Sequence, residues 1–294
     1  MNGRAVSVDG VLCAPGDATV SVYDRGFLYG DAVFEVLRTY GGRPFALDEH
    51  LARLRRSAER VFIELPVDEA TLATEIDSAL SAASGKESYV RIMVTRGSGP
   101  LGLDPATATH PLRVVLVEPV VPPPRSAYAA GIAAVTVTTR RTADDTTAAG
   151  AKLANYLTSL LAIREARSRG AQEAIVIDGR GYVVEGASSN VFVVNGGTVA
   201  TPPESAGILA GITRAHLLTA ARSLAMPIVE RDVVRDELFV ADEVFVTSSI
   251  REVLPVVRVD DRILGAGRPG PVARALHRRF REAVGMGGRP MPWE

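Results

Sequence analysis

The chain has 294 residues, 47% of them hydrophobic and 23% charged, with a formal net charge of -1. That length suits two domains better than one small core, and the near-zero charge leaves no field for nucleic acid. The single Cys13 excludes an intrachain disulfide and a Cys-rich zinc centre, the four histidines show no metal-ligand spacing, and no apolar run reaches the roughly 18 residues of a membrane span.

The opening "MNGRAVSVDG" lacks a basic start followed by an apolar stretch, so a cytoplasmic protein is expected. In chain order, "RAVSVDG" and "ATVSVYD" alternate as two short strands. "LDEHLARLRRSAERVFIEL" predicts an amphipathic helix, with Asp48 as N-cap and Leu51, Leu54, Ala58 and Val61 at helical spacing. A second helix is expected over "VDEATLATEIDSALSAA", then strands over "YVRIMVTRG" and "PLRVVLVEP". The three prolines of "EPVVPPPRSAYAAG" favour an extended, stiff connection. The expected division is therefore a small domain over 1–118, a Pro-rich linker over 119–131 and a larger domain over 132–294. In the larger part, strands are expected at 132–140, 173–178, 181–186, 190–194 and 242–249, with helices near 153–169, 213–225 and 270–284. No internal repeat is evident, and the mixture reads as α+β or mixed α/β.

Lys152 and Lys86 are the only lysines among 33 basic residues; everywhere else the chain uses Arg. Arg stays protonated, whereas a desolvated Lys loses its proton and can form a Schiff base with a carbonyl. Lys86 in "ASGKES" reads as a surface residue, and Lys152 stands in "AAGAKLANYL". Two further stretches suit an anion. "LAGITR" opens a helix at Ile212 and Thr213, with Thr213 able to cap it, and "FVTSSIRE" ends a strand in a turn bearing Ser248 and Ser249. Glu185 lies at a strand end, and Arg53 is one of four arginines on the first long helix, one of which could reach a phosphate bidentately. Taken together, an amine, a carboxylate, an arginine and two phosphate-grade turns are the parts that would hold pyridoxal 5′-phosphate. No metal is expected.

With those residues assembled, the chain resembles the class IV (fold type IV) pyridoxal-phosphate aminotransferases, from about Val6 to Val257. The resemblance rests on "YGDAVFEVLRTY", "HLARLRRSA", "YVRIMVTRG", "KLANYL", "EGASSNVF", "LAGITR" and "FVTSSIREVLPV", in family order. It implies a two-domain α+β fold, a small α+β domain and a larger pseudo-barrel domain with the cofactor between them. It implies Lys152 as the Schiff-base lysine, Glu185 on the pyridine nitrogen and Tyr156 on the ring hydroxyl. Arg53, Ile212, Thr213, Ser248 and Ser249 would hold the phosphate. Family members are at least dimers, so a homodimer acting on small amino and keto acids is expected, with neither nucleic acid nor membrane as partner.

The member is less sharply marked. D-amino acid aminotransferases carry an Arg and a His in the loop after the "TRG" strand; here "TRGSGPLGLDP" has Leu101 and Leu103. An apolar loop suits Leu, Ile or Val, and by resemblance to branched-chain enzymes Tyr89 would touch the α-carboxylate and Arg91 the side-chain carboxylate of glutamate. Tyr29, Phe34, Leu103 and Ile250 would line the apolar pocket. Against this, Val36 replaces a usual Gly, the lysine motif is one residue short, and "EGASSN" is like the D-amino acid branch. The expectation is ping-pong transamination between an L-branched-chain amino acid and 2-oxoglutarate. A D-amino acid or (R)-amine aminotransferase, or an aminodeoxychorismate lyase releasing pyruvate, are the alternatives. Arg251 stands where a small residue is usual, its role open between a substrate carboxylate and solvent.

Overall fold

A computed structural model of the chain describes residues 3–138 and 147–294. It divides into two compact units, Met1–Val121 with Thr146–Tyr156, and Pro122–Asp145 with Leu157–Glu294. The first contains β1 (Ala5–Val8), β2 (Val11–Cys13), α1 (Arg25–Tyr29), β3 (Ala32–Tyr40), β4 (Arg43–Pro44), α2 (Leu47–Arg60), α3 (Glu69–Ala83), β5 (Ser88–Thr95) and β6 (Arg113–Pro119). Its strands form one antiparallel sheet in the order β2-β1-β6-β5-β3-β4. Strand β5 alternates buried and half-buried residues, as a strand with one covered face must. Its Val90, Ile92 and Val94 join Val33 and Leu37 of β3 in a core with Leu51 and Leu54 of α2 and Leu72 and Ile76 of α3. Each such side chain contributes roughly 1.5–3 kcal/mol on burial.

Three local expectations change here. "ATVSVYD" forms no strand: Val20 and Val22 are exposed, and Asp24 commits the end of the stretch to α1 by accepting from the Gly26 and Phe27 amides. Val11–Cys13 pairs with β1 instead. The first long helix starts one residue before Asp48, behind a left-handed Ala46 with no side-chain cap, so Asp48 serves in the first turn beside the helix dipole. That helix ends at Arg60, and Asp68 caps α3 through the Thr71 amide.

The second unit contains α4 (Arg125–Ala130), β7 (Ile132–Thr138), α5 (Leu157–Ser168), β8 (Glu173–Ile177), β9 (Val183–Gly186), β10 (Asn190–Asn195), β11 (Thr198–Thr201), α6 (Ile212–Ser223), β12 (Ile228–Glu230), α7 (Arg235–Phe239), β13 (Glu243–Ser248), β14 (Glu252–Val259), β15 (Arg262–Ile263) and α8 (Pro271–Ala283). The strand expected over 132–140 is described as far as Thr138; its last two positions lie outside the described residues. Eight strands run β12-β11-β10-β13-β14-β7-β8-β9, and β15 pairs with β14. Strand β7 is parallel to both β14 and β8, and most other pairs are antiparallel. The Gly186 amide donates to the Ser189 carbonyl at 2.7 Å, just before β10, so β9 leads back towards an inner strand and the sheet curls. Val191, Val244, Val246, Val256 and Ile175 fill its core.

Candidate active site

In the first unit, the segment carrying Lys152 lies along β3. The Phe34 amide donates to the Lys152 carbonyl at 3.1 Å and the Ala154 amide to the Ala32 carbonyl at 2.9 Å. On its other side the Lys152 amide donates to Ser57 Oγ of α2 at 3.1 Å, and Arg60 donates to the Ala149 carbonyl. This pairing explains why helix α5 begins at Leu157 and not near 153: residues 152–154 use their backbone groups in a ladder. The main chain of Lys152 is thus fixed on both sides.

The register of β3 on β5 sets what surrounds its side chain. Phe34 faces Met93, Val36 faces Arg91 and Arg38 faces Tyr89, so Phe34, Arg91 and Tyr89 share the sheet face opposite the core. Phe34 is buried, and three groups meet its ring: Lys152 Nζ 4.6 Å from the centroid, the Arg91 guanidinium at 4.2 Å and the Tyr156 ring at 5.3 Å. Cations over an aromatic face gain roughly 0.5–2 kcal/mol each. Lys152, Tyr156, Phe34 and Arg91 are therefore brought together, with Tyr89 next along the strand.

The other face of β3 holds a cluster that the sequence reading missed. Glu35, with no exposed surface, receives Arg53 Nε at 2.7 Å and Nη2 at 2.8 Å, and its Oε2 lies 2.7 Å from His50 Nδ1. Burial alone would raise the Glu35 pKa; the Arg53 charge and hydrogen bonds outweigh it and hold the carboxyl down at about 2. Burial pushes His50 below its ordinary value, opposed by Glu35 and assisted by the charges of Arg53 and Lys152. A neutral His50 donates from Nδ1 to Glu35, which leaves Nε2 as a buried lone pair without a hydrogen-bond partner among the described residues. A signal existed in "VFEVL", a charged residue inside an apolar run, and in the i,i+3 spacing of His50 and Arg53. Arg53, expected to grip a phosphate, already commits two nitrogens to a carboxylate.

Tyr29 and Leu103 belong to a different part of this unit. The Tyr29 hydroxyl accepts from the Gly102 amide at 3.2 Å, and buried Arg25 donates to the Gly102 carbonyl at 3.0 Å, which holds the loop at α1. The Leu103 side chain is 81% exposed and is not brought to Phe34.

In the second unit, several expected residues converge on one end of the sheet. Glu185, at the end of β9, accepts the Leu209 amide on Oε2 at 2.9 Å, and Asn190 Nδ2 donates to the Leu209 carbonyl at 2.9 Å. Helix α6 has Gly211 as N-cap and no side-chain cap; a Cβ on Gly211 would overlap Asn190 Oδ1. Thr213, read as a cap, is instead the second residue of the helix, and Ile212 is the first. Asn190 pairs with Thr247, so β13 delivers Ser248, Ser249 and Ile250 beside the same end. Thr247 Oγ1 is buried and has no hydrogen-bond partner among the described residues. An uncapped helix start and an orphaned hydroxyl next to a carboxylate are a donor set that an anionic ligand would satisfy. No cluster of three or more His, Cys, Asp or Glu side chains suited to a metal occurs among the described residues. None of their helices is long and apolar enough to cross a membrane.

Against known proteins, residues 32–259 match the family model of class IV amino-transferases. A branched-chain-amino-acid aminotransferase of Pseudomonas aeruginosa is 35% identical over 286 residues, covering 94% of this chain and 91% of the relative. A D-alanine aminotransferase of Bacillus licheniformis is 33% identical over 281 residues, covering 95% and 96%. Among solved structures, the Escherichia coli branched-chain amino acid aminotransferase superposes with a TM-score of 0.91 at 31% identity, covering 98% of this chain and 97% of that one. The T.th. branched-chain amino acid aminotransferase, complexed with N-(5′-phosphopyridoxyl)-L-glutamate, gives 0.88 at 31% identity, covering 99% and 96%.

Proposed function

The chain belongs to the class IV aminotransferases, and from that membership we propose that its substrates are L-branched-chain amino acids and 2-oxoglutarate, with pyridoxal 5′-phosphate as cofactor. It is an enzyme of the fold-type-IV, two-domain α+β kind, and its reaction is transamination. One observation carries the reading of this chain's residues: a lysine fixed at both main-chain groups places its amine on the Phe34 ring that Arg91 also covers. The amine is the catalyst and the guanidinium the grip for a substrate carboxylate.

The residues fit pyridoxal phosphate. The amides of α6, which has no side-chain cap, and the Thr247 hydroxyl, unpartnered among the described residues, match a phosphate, and Glu185 offers a carboxylate at the same sheet end. When bound, that cofactor supplies an aldehyde for amine exchange and a protonated ring that withdraws electrons from the substrate Cα–H bond. Lys152 Nζ would hold the aldehyde in the resting enzyme and, as a neutral amine, would be the group that takes and returns the substrate Cα proton. Glu185 would keep the ring nitrogen protonated, and Tyr156 would hydrogen-bond the ring hydroxyl. The Ile212 and Thr213 amides and the Ser248 and Ser249 hydroxyls would hold the phosphate, with Arg53, its Nε and Nη2 bound to Glu35, adding its charge from within that ion pair. Tyr89 would take the α-carboxylate, Arg91 the second carboxylate of glutamate, and Phe34 and Ile250 the apolar side chain; Tyr29 and Leu103, held away from Phe34 within the chain, would not line that pocket from the same subunit. Amino acid and keto acid then alternate in a ping-pong cycle.

A homodimer belongs to the same proposal. Its support is the apolar surface exposed on the single chain: Val22, Phe27, Leu101 and Leu103 in the first unit, and Leu157, Leu160 and Leu161 along one face of α5. Sedimentation at micromolar concentration should give twice the chain mass. A cytoplasmic location is proposed on the strength of the lone Cys13, which has no partner for a disulfide within the chain.

The test has two arms. Borohydride should bleach the chromophore of the purified protein and leave an adduct on Lys152, and Lys152→Arg should abolish turnover; an adduct on Lys86 would overturn the assignment. L-leucine, L-isoleucine or L-valine should outperform D-alanine by about ten- to two-hundred-fold, the discrimination an apolar pocket provides. The second reading, a D-amino acid enzyme, is favoured by "EGASSN" and by the Bacillus licheniformis relative; faster turnover of D-alanine would establish it. Pyruvate release without an added keto acid would instead identify a lyase.

A further inference from the structure

Arg251 does not point idly to solvent. Its Nη1 donates to Glu173 Oε2 at 2.7 Å, and Glu173, at the start of β8, is 1% exposed. The same carboxylate accepts the Ser189 hydroxyl at 3.0 Å on Oε2 and the Ala174 and Ala187 amides at 2.9 and 3.3 Å on Oε1. All its principal acceptor directions are used. Ala187 and Ser189 belong to the short loop that joins Glu185 to Asn190. Arg251 belongs to the turn that bears Ser248 and Ser249.

The main chain of Arg251 is held as well. Its amide donates to Ser248 Oγ at 3.3 Å, and its carbonyl accepts the Tyr128 hydroxyl at 3.0 Å. With its oxygen already accepting, the Ser248 hydroxyl has its proton to give elsewhere. The next residue, Glu252, adopts a left-handed φ of 56°, unfavourable for a glutamate, and is locked by His277 Nε2 at 2.6 Å. The Arg251–Glu173 ion pair and the adjacent Glu252–His277 hydrogen bond therefore hold the turn from Arg251 onward.

We infer that Arg251 is a positioning residue which, through buried Glu173, locks the Glu185 loop and the Ser248–Ser249 turn into one register. The inference rests on the cofactor reading above and deepens it. Arg251 supplies the countercharge to the Glu173 carboxylate in the interior, and that carboxylate is what holds both ends of the loop.

The test measures pyridoxal phosphate affinity of the apo protein by titration, with hydrogen exchange of apo amides alongside. Arg251→Ala and Glu173→Gln should each weaken cofactor binding about tenfold, the equivalent of one lost charged hydrogen bond. The double variant should be no weaker than either single one, because both break one unit. Arg251→Lys should retain near-wild-type affinity, and Michaelis constants for leucine and 2-oxoglutarate should stay within about twofold. In the apo Arg251→Ala protein the Ala187 and Ser189 amides should exchange faster. Additive losses would mean that Arg251 and Glu173 act independently, unchanged cofactor affinity with raised Michaelis constants would make Arg251 a substrate contact, and either result overturns the inference. If the wild-type chain binds no pyridoxal phosphate, the cofactor reading falls. The register is then judged on exchange alone, and unchanged protection at Ala187 and Ser189 in Arg251→Ala refutes it.

Discussion

Glu35→Gln tests the buried cluster of the first unit. The substitution keeps the shape of the side chain and removes its charge, so Arg53, 5% exposed, loses its counterion. The native pair lowers the Glu35 pKa from 4.5 to about 2. That difference corresponds to about 3 kcal/mol of stability at neutral pH. Breaking a buried ion pair from one side costs a similar ~3–5 kcal/mol. For a chain of this size such a loss lowers the unfolding temperature by roughly 5–8 °C. The sign with pH follows from the direction of the shift. The folded pKa is depressed, so the unfolded chain takes up the proton first; the stabilisation is complete above about pH 4.5 and is lost as pH falls towards 2. Scanning calorimetry between pH 7 and 2.5 should show wild type losing this advantage on acidification and Glu35→Gln lacking it throughout. A fall of less than about 2 °C at pH 7, or parallel acid profiles for the two proteins, would refute the ion-pair account.

Glu185→Gln should leave cofactor bound and slow the half-reaction by an order of magnitude or more, read by stopped-flow absorbance, because a neutral amide does not stabilise a protonated ring nitrogen. Arg91→Ala should raise the Michaelis constant for 2-oxoglutarate more than that for leucine, since only the former brings a second carboxylate. Gly211→Ala should cost about 1–3 kcal/mol in thermal unfolding, because its Cβ evicts the Asn190 amide from the Leu209 carbonyl. Its backbone φ of -69° suits alanine, so the loss is one of space and not of conformation.

Much of this protein is local and hence legible in the sequence. Alternation in "YVRIMVT" follows from a sheet with one covered face, and the unbroken apolar run of "NVFVV" from a strand buried on both faces. The apolar stripe of α2 is a short-range regularity, and Lys152 stood out because the chain uses Arg everywhere except there and at Lys86. Where local pattern misled, a distant partner had taken over. "ATVSVYD" alternates yet lacks a strand to pair with, and the helix predicted from 153 starts at 157 because residues 152–154 bond to β3. The role of Arg251 depended on Glu173, 78 positions away, and the state of Glu35 on α2 residues 15 and 18 positions on. A charged side chain reads as surface until its partner is known. Periodicity reports which face a residue takes, but only the folded chain decides which buried charges meet, because their stabilisation depends on distance and on exclusion of water.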